Sequence, residues 1–209
     1  MSQNTSSAVM QDDAPNAGAV SYVRGIIPSA DREKDDFYPT PAAGTRALLA
    51  VEKFDGQIWE PACGEGDMSR VLEAAGYDVI STDLVDRGYG TPRHDFLMEW
   101  QPRAPNIVTN PPFKMCEQFV SKALTLTTGK VAILARLAWL EGKQRRILFE
   151  ETPLARVWIF SGRLGFDRGR LAKVGAGGMI AFAWFVWEHG HEGSPVLGWI
   201  SPDREGLAA

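Results

Sequence analysis

The chain has 209 residues and a mass of 23.0 kDa, enough for one ordinary domain with a sizeable core. Apolar residues make up 44% and charged residues 23%, which excludes a disordered or fibrous polymer. The formal charge of −4 and pI of about 5.4 argue, as bulk quantities, against a nucleic-acid partner. Two cysteines, Cys63 and Cys116, are too few for a disulfide scaffold and suit a reducing compartment. No apolar run approaches the ~18 to 20 residues that cross a bilayer, and the N-terminal stretch lacks a signal-peptide core.

Residues 1–36 show no periodicity and are rich in Ser, Asn, Ala, Gly and Asp, so they read as a flexible acidic tail with a short ordered stretch at Val20–Pro28. Six acids against three bases there supply −3 of the total charge. The remainder, 37–209, reads as one domain. Thr40–Phe54 is expected to be a helix, with Thr40 as N-cap and Pro41 at the first helical position. A strand at Gln57–Glu60 runs into the loop Pro61-Ala62-Cys63-Gly64-Glu65-Gly66. Asp67 could cap the next helix, in which Met68, Val71, Leu72 and Ala75 recur at helical spacing until Gly76. Strands are predicted at Tyr77–Leu84, Pro105–Thr109, Lys130–Leu137, Arg156–Phe160 and Met179–Trp187. Helices are predicted at Met115–Leu126 and Ala138–Glu150. Alternation of this kind points to an α/β fold with an open, mostly parallel sheet covered on both faces.

Two loops carry chemistry. The first, Glu60 to Gly66, joins a strand to a helix; its glycines permit a tight turn and close backbone approach to a ligand beside unpaired helix N–H groups. It lacks the third glycine of the dinucleotide fingerprint, and no phosphate loop is present. Asp83, at the end of the second strand, could accept both hydroxyls of a ribose. The second loop, Asn110-Pro111-Pro112-Phe113, follows Ile107-Val108. Its prolines cannot continue a strand or helix and fix a rigid turn with exposed carbonyls.

Together with Asp36-Phe37-Tyr38-Pro39-Thr40-Pro41, these loops resemble the class I S-adenosylmethionine-dependent DNA adenine-N6 methyltransferases, most closely the small phage and prophage type. The resemblance spans roughly residues 36–187, and the Asn-Pro-Pro-Phe tetrad is its most specific part. It implies a Rossmann-like sheet of seven strands and a cytoplasmic enzyme of a bacterial cell or phage-infected host. S-adenosylmethionine would be the cofactor and S-adenosylhomocysteine the product. Tyr38, Thr40, Glu60, Pro61, Ala62, Cys63, Gly64 and Gly66 would hold the methionine moiety and Asp83 the ribose. Asp95 would meet the adenine amino group and Phe96 its ring. Asn110 and Pro111 would accept the two N6–H bonds of the target adenine, with Pro112 stiffening the turn and Phe113 stacking on a base flipped from duplex DNA or taken from a single strand. No metal is implied; His94, His189 and His191 have no ligand spacing with the cysteines. Cys63 reads as a small buried thiol rather than a nucleophile.

Local charge answers the acidic pI. Arg163, Arg168, Arg170 and Lys173 stand against Asp167 in the segment joining the last two predicted strands. Arg136 ends a strand on the expected ligand edge. Both are candidates for phosphate contact, as is the group Lys143, Arg145 and Arg146. No separate target-recognition domain is evident, so a short target or little sequence specificity is expected. Three alternatives stay open: an RNA adenine substrate, a protein glutamine substrate, and a noncatalytic cofactor- or DNA-binding module. Phe113 in place of tyrosine, and a short tail in place of a helical domain, disfavour glutamine. Membrane association is not expected, and oligomeric state is not legible.

Overall fold

A computed structural model describes residues 37–165 and 180–202. The expected tail, including Val20–Pro28, lies outside them, as do Arg168, Arg170 and Lys173. Helix α1 spans Ala42–Leu49, β1 Ile58–Glu60, α2 Asp67–Ala74, β2 Val79–Ser81, β3 Asn106–Thr109 and α3 Cys116–Leu126. There follow β4 at Lys130–Arg136, α4 at Lys143–Glu151, β5 at Leu154–Phe160, β6 at Phe182–Glu188 and β7 at Val196–Ile200. The seven strands form one sheet in the order β2-β1-β3-β4-β6-β5-β7. Pairing is parallel except where β6 lies antiparallel between β4 and β5.

The strand sequences explain the layering. In β4, Val131, Ile133 and Ala135 belong to one buried cluster while Ala132 and Leu134 belong to another, as a period of two requires when both faces are covered. Helix α3 lays Phe119, Val120, Ala123 and Leu126 on the first face. Helices α1 and α2 contribute Ala47, Leu48, Met68 and Leu72 to the second. The Trp184 indole N–H donates to the Gly44 carbonyl at 3.0 Å and pins α1 to the sheet. Among the described residues no helix is long and apolar enough to cross a membrane.

Several elements differ from expectation. Helix α1 starts one residue beyond its N-cap Pro41 and stops at Leu49, not Phe54. Thr40 does not cap it; its hydroxyl accepts from Asn110 instead. Glu52, beyond the helix end, is drawn into an ion cluster. Its carboxylate accepts from Arg156, from Lys130 Nζ at 2.8 Å and from the Trp158 indole at 2.8 Å, and Arg156 also reaches Glu188 at 2.6 Å. Gly66, in a left-handed conformation, rather than Asp67, is the N-cap of α2. Strand β2 is shorter than Tyr77–Leu84 because Asp83 turns the chain, its Oδ1 accepting from the Val85 N–H at 2.8 Å. The helix expected at Ala138–Glu150 is divided into a 3-10 turn, Leu137–Leu140, and α4, with Gly142 at φ 132° between them. The stretch after Gly190, where no strand is predicted, contains β7, which pairs with β5.

Candidate active site

Going from β1 the chain moves outward to β2, then crosses back to place β3 on the other side of β1. Ligands of open α/β sheets bind at the carboxyl edge of such a switch point. Here the loops after β1 and β3 are the two read from sequence, and the cleft between them is lined by Tyr38, Glu60, Asp83, Phe96, Asn110 and Phe113, among others. Thr40, Pro61, Ala62, Cys63, Asp95 and Pro112 also face it. Gly64, Gly66 and Pro111 shape the loops without lining it.

The first loop is locked from beneath. Asp83 Oδ2 accepts from the Gly64 N–H at 2.8 Å, so both carboxylate oxygens hold backbone. Carboxylate oxygens carry further lone pairs, and these remain for a ligand hydroxyl. Gly64 has φ +56°, and a Cβ there would overlap the Phe37 ring, so glycine is required twice over. Glu60 is 2% exposed; one oxygen accepts from the Ser69 hydroxyl, which lies 2.6 Å from that of Ser81. Burial, with no cation among the described residues to offset it, pushes its carboxyl well above the usual range despite the Ser69 bond. Cys63 is buried, and burial together with Glu60 and Asp83 pushes its thiol up to about 12, so no thiolate forms at neutral pH.

The wall beyond is part of the core. Phe96 packs edge-on against Trp59 with centroids 5.1 Å apart and at a tilt against Phe119 at 4.8 Å. Asp95 caps the 3-10 turn Phe96–Met98, Oδ1 accepting from the Leu97 N–H at 3.0 Å.

The second loop holds its asparagine in one orientation. Asn110 Nδ2 donates to the Tyr38 carbonyl at 3.3 Å and to Thr40 Oγ1 at 3.1 Å. The Tyr38 carbonyl can only accept, so the amide cannot be reversed, and Asn110 Oδ1 is buried with no donor among the described residues. The turn closes through the Met115 N–H on the Pro112 carbonyl at 2.8 Å, rather than on that of Pro111. The Phe113 ring stacks on Tyr38 with centroids 5.7 Å apart, meets Phe182 at 5.8 Å and carries the Arg136 guanidinium at 4.8 Å. Phe113 is thus already enclosed by neighbours, which the tetrad alone does not reveal.

Residues 37–40 form a strap across both loops: Phe37 rests on Gly64, while Tyr38 and Thr40 hold Asn110. Phe37 lies within the 36–41 motif but carries no role from sequence; Arg87, whose guanidinium lies 4.1 Å from the Phe37 ring centroid, belongs to no motif. The Glu60–Ser69–Ser81 relay was equally invisible in sequence, because serines on a helix and a strand carry no shared pattern. Of the basic candidates, Arg136 reaches the tetrad and Arg163 is exposed. In the α4 group, Arg145 pairs with Glu117 at 3.5 Å and Arg146 with Glu150 at 3.1 Å.

No protein-family model matches the chain, and neither does any curated protein sequence. Solved structures do match. A candidate RNA methyltransferase from Pyrococcus horikoshii superposes with a TM-score of 0.56 at 15% identity, covering 78% of this chain and 90% of that one. A predicted O-methyltransferase from Agrobacterium tumefaciens gives 0.50 at 12% identity over 78% and 86%. The fold is that of the class I methyltransferases. The modification subunit of a candidate type I restriction enzyme from Vibrio vulnificus shares this methyltransferase fold, with a TM-score of 0.53, 12% identity and 88% of this chain covered; the match spans 50% of that subunit.

Proposed function

We propose that the protein transfers a methyl group from S-adenosylmethionine to the N6 amine of adenine in DNA. The observation that carries this reading is Asn110 Oδ1: a buried acceptor, oriented by Tyr38 and Thr40, with no donor among the described residues. Leaving a buried acceptor unmet costs about 1–3 kcal/mol, which an incoming N–H would recover. The methyltransferase fold supports the cofactor assignment, and so do the polar groups facing the cleft. Glu60 is a buried carboxyl without a cation among the described residues, suited to a ligand ammonium, and Asp83 retains lone pairs for ribose hydroxyls.

When bound, S-adenosylmethionine supplies an electrophilic methyl group. The protein's part is to prepare the nucleophile. An adenine amine is a weak nucleophile because its lone pair is delocalised into the ring. Asn110 Oδ1 would accept one N6–H, favouring a pyramidal nitrogen whose lone pair is free to attack. Two prolines and two hydrogen bonds hold this acceptor before the substrate arrives, which is electrostatic preorganisation. As positive charge develops on N6, the same acceptor stabilises it.

The test is to incubate the protein with methyl-labelled cofactor and duplex DNA, single-stranded DNA, RNA or protein, then identify the product. Labelled N6-methyladenine in DNA is expected. Label in RNA or protein with none in DNA would overturn the proposal.

A further inference from the structure

Arg136 ends β4 at the carboxyl edge, and its cross-strand partner in β6 is Phe182. Both side chains contact the Phe113 ring, the guanidinium at 4.8 Å from its centroid. Arg136 is half-buried, and its Nε is enclosed with no acceptor among the described residues. It forms no ion pair there either, whereas Arg156, likewise half-buried, is shared between Glu52 and Glu188. A half-buried guanidinium without a carboxylate is expensive to maintain, so its ordinary fate is to be paired.

Charge is uneven around the site. The cleft acids, Glu60, Asp67, Asp83 and Asp95, come from β1, β2 and the segments that follow them, with Arg87 among them. Arg136 stands outside the cleft lining, one strand beyond the tetrad after β3. The acid-rich cleft suits a cationic cofactor; the neighbouring strand end presents a cation awaiting an anion. A guanidinium whose face rests on an aromatic ring keeps its edge N–H groups for oxygen acceptors, and their fork matches phosphate.

We propose that Arg136 binds the backbone phosphate adjoining the target nucleotide, so that the substrate is a phosphodiester-linked strand and not a free nucleoside. This rests on the adenine-methyltransferase reading of the same site. Phe113 links the two contacts: the guanidinium lies on the ring next to the Asn110 turn, so a phosphate held there fixes how far the base reaches toward Asn110.

The test uses two single-stranded oligodeoxynucleotides with one adenine each, identical except that one carries neutral methylphosphonate linkages on both sides of that adenine. Wild-type protein should show a KM about tenfold higher for the neutral strand, the scale of one charge-assisted hydrogen-bonded contact. Arg136→Gln should raise KM about tenfold on the natural strand and cause little further loss on the neutral one, because the contact is already absent. Cofactor affinity by calorimetry should be unchanged, and Arg136→Lys should restore part of the loss. Equal wild-type KM for the two strands would overturn the assignment, as would an Arg136→Gln defect of the same size on both. Failure of the wild-type protein to methylate any adenine would instead remove the underlying reading, and the phosphate contact with it.

Discussion

In the Asn110 side chain the nitrogen is committed to Tyr38 and Thr40, while the oxygen has no donor among the described residues. Replacing it with alanine removes the acceptor but leaves Glu60 and Asp83 in place. Asn110→Ala should therefore lower kcat by about 10²- to 10³-fold, the usual effect of losing one preorganised polar contact, with cofactor affinity nearly intact by calorimetry. Equal loss of both would reduce Asn110 to a tether for the strap. Glu60 gives a pH test. Its folded pKa lies well above its value in the unfolded chain, so the folded state holds an extra proton between the two. Stability should consequently fall as pH rises above about 4.3, the unfolded value. In Glu60→Gln that decline should be reduced, as read from Tm across a pH series. If the carboxylate meets a ligand ammonium, wild-type cofactor affinity should rise with pH over the same window, and the variant's should not.

At the level of elements, the end of α1 is tied to β4 and β5 through Glu52, which is almost wholly buried beneath Lys130 and Arg156. Burial alone would raise its carboxyl, but the bonds from Arg156, Lys130 and Trp158 outweigh that and hold it below the usual range. Removing one partner of a buried cluster strands the others, so Glu52→Ala should cost about 3–5 kcal/mol in urea unfolding. The contribution of Glu52 is complete above its unfolded pKa and disappears as pH falls through the lower folded value. This cluster also shows where the sequence was opaque. The apolar pattern of 40–54 continues past Leu49, and nothing local reveals that Glu52 is held by residues about 80 to 100 positions away. Strand β7 was equally hidden: Val196, Leu197 and Trp199 are exposed, so it has no alternation to read. By contrast, β4 was legible because burial on both faces leaves a continuous apolar run, and β3 because its apolar pair Ile107-Val108 leads directly into the Asn-Pro-Pro turn. The two ligand loops were legible because glycine and proline declare their backbone needs in the residue itself. How Phe113 and Arg136 meet was not, since contacts between side chains from different strands follow from register alone.

For the molecule as a whole, net charge is a poor guide to partners because charge is divided locally, with acids lining the cleft and Arg136 standing beyond them. Cofactor affinity should change little between low and moderate salt. Nucleic-acid affinity should fall steeply in a log–log plot as counterions are displaced, and Arg136→Gln should reduce that slope by about one. Identical salt responses for both ligands would contradict the division. The strap at residues 37–40 adds a constraint of another kind. One end rests on the loop after β1 and the other restrains the loop after β3, so the distance between them is measured out in peptide units. Inserting a single residue there would remove no candidate ligand-binding side chain, yet it would put one loop out of step with the other. Chain length at this point is therefore as much a part of the machinery as the side chains, and an alanine scan would not detect it.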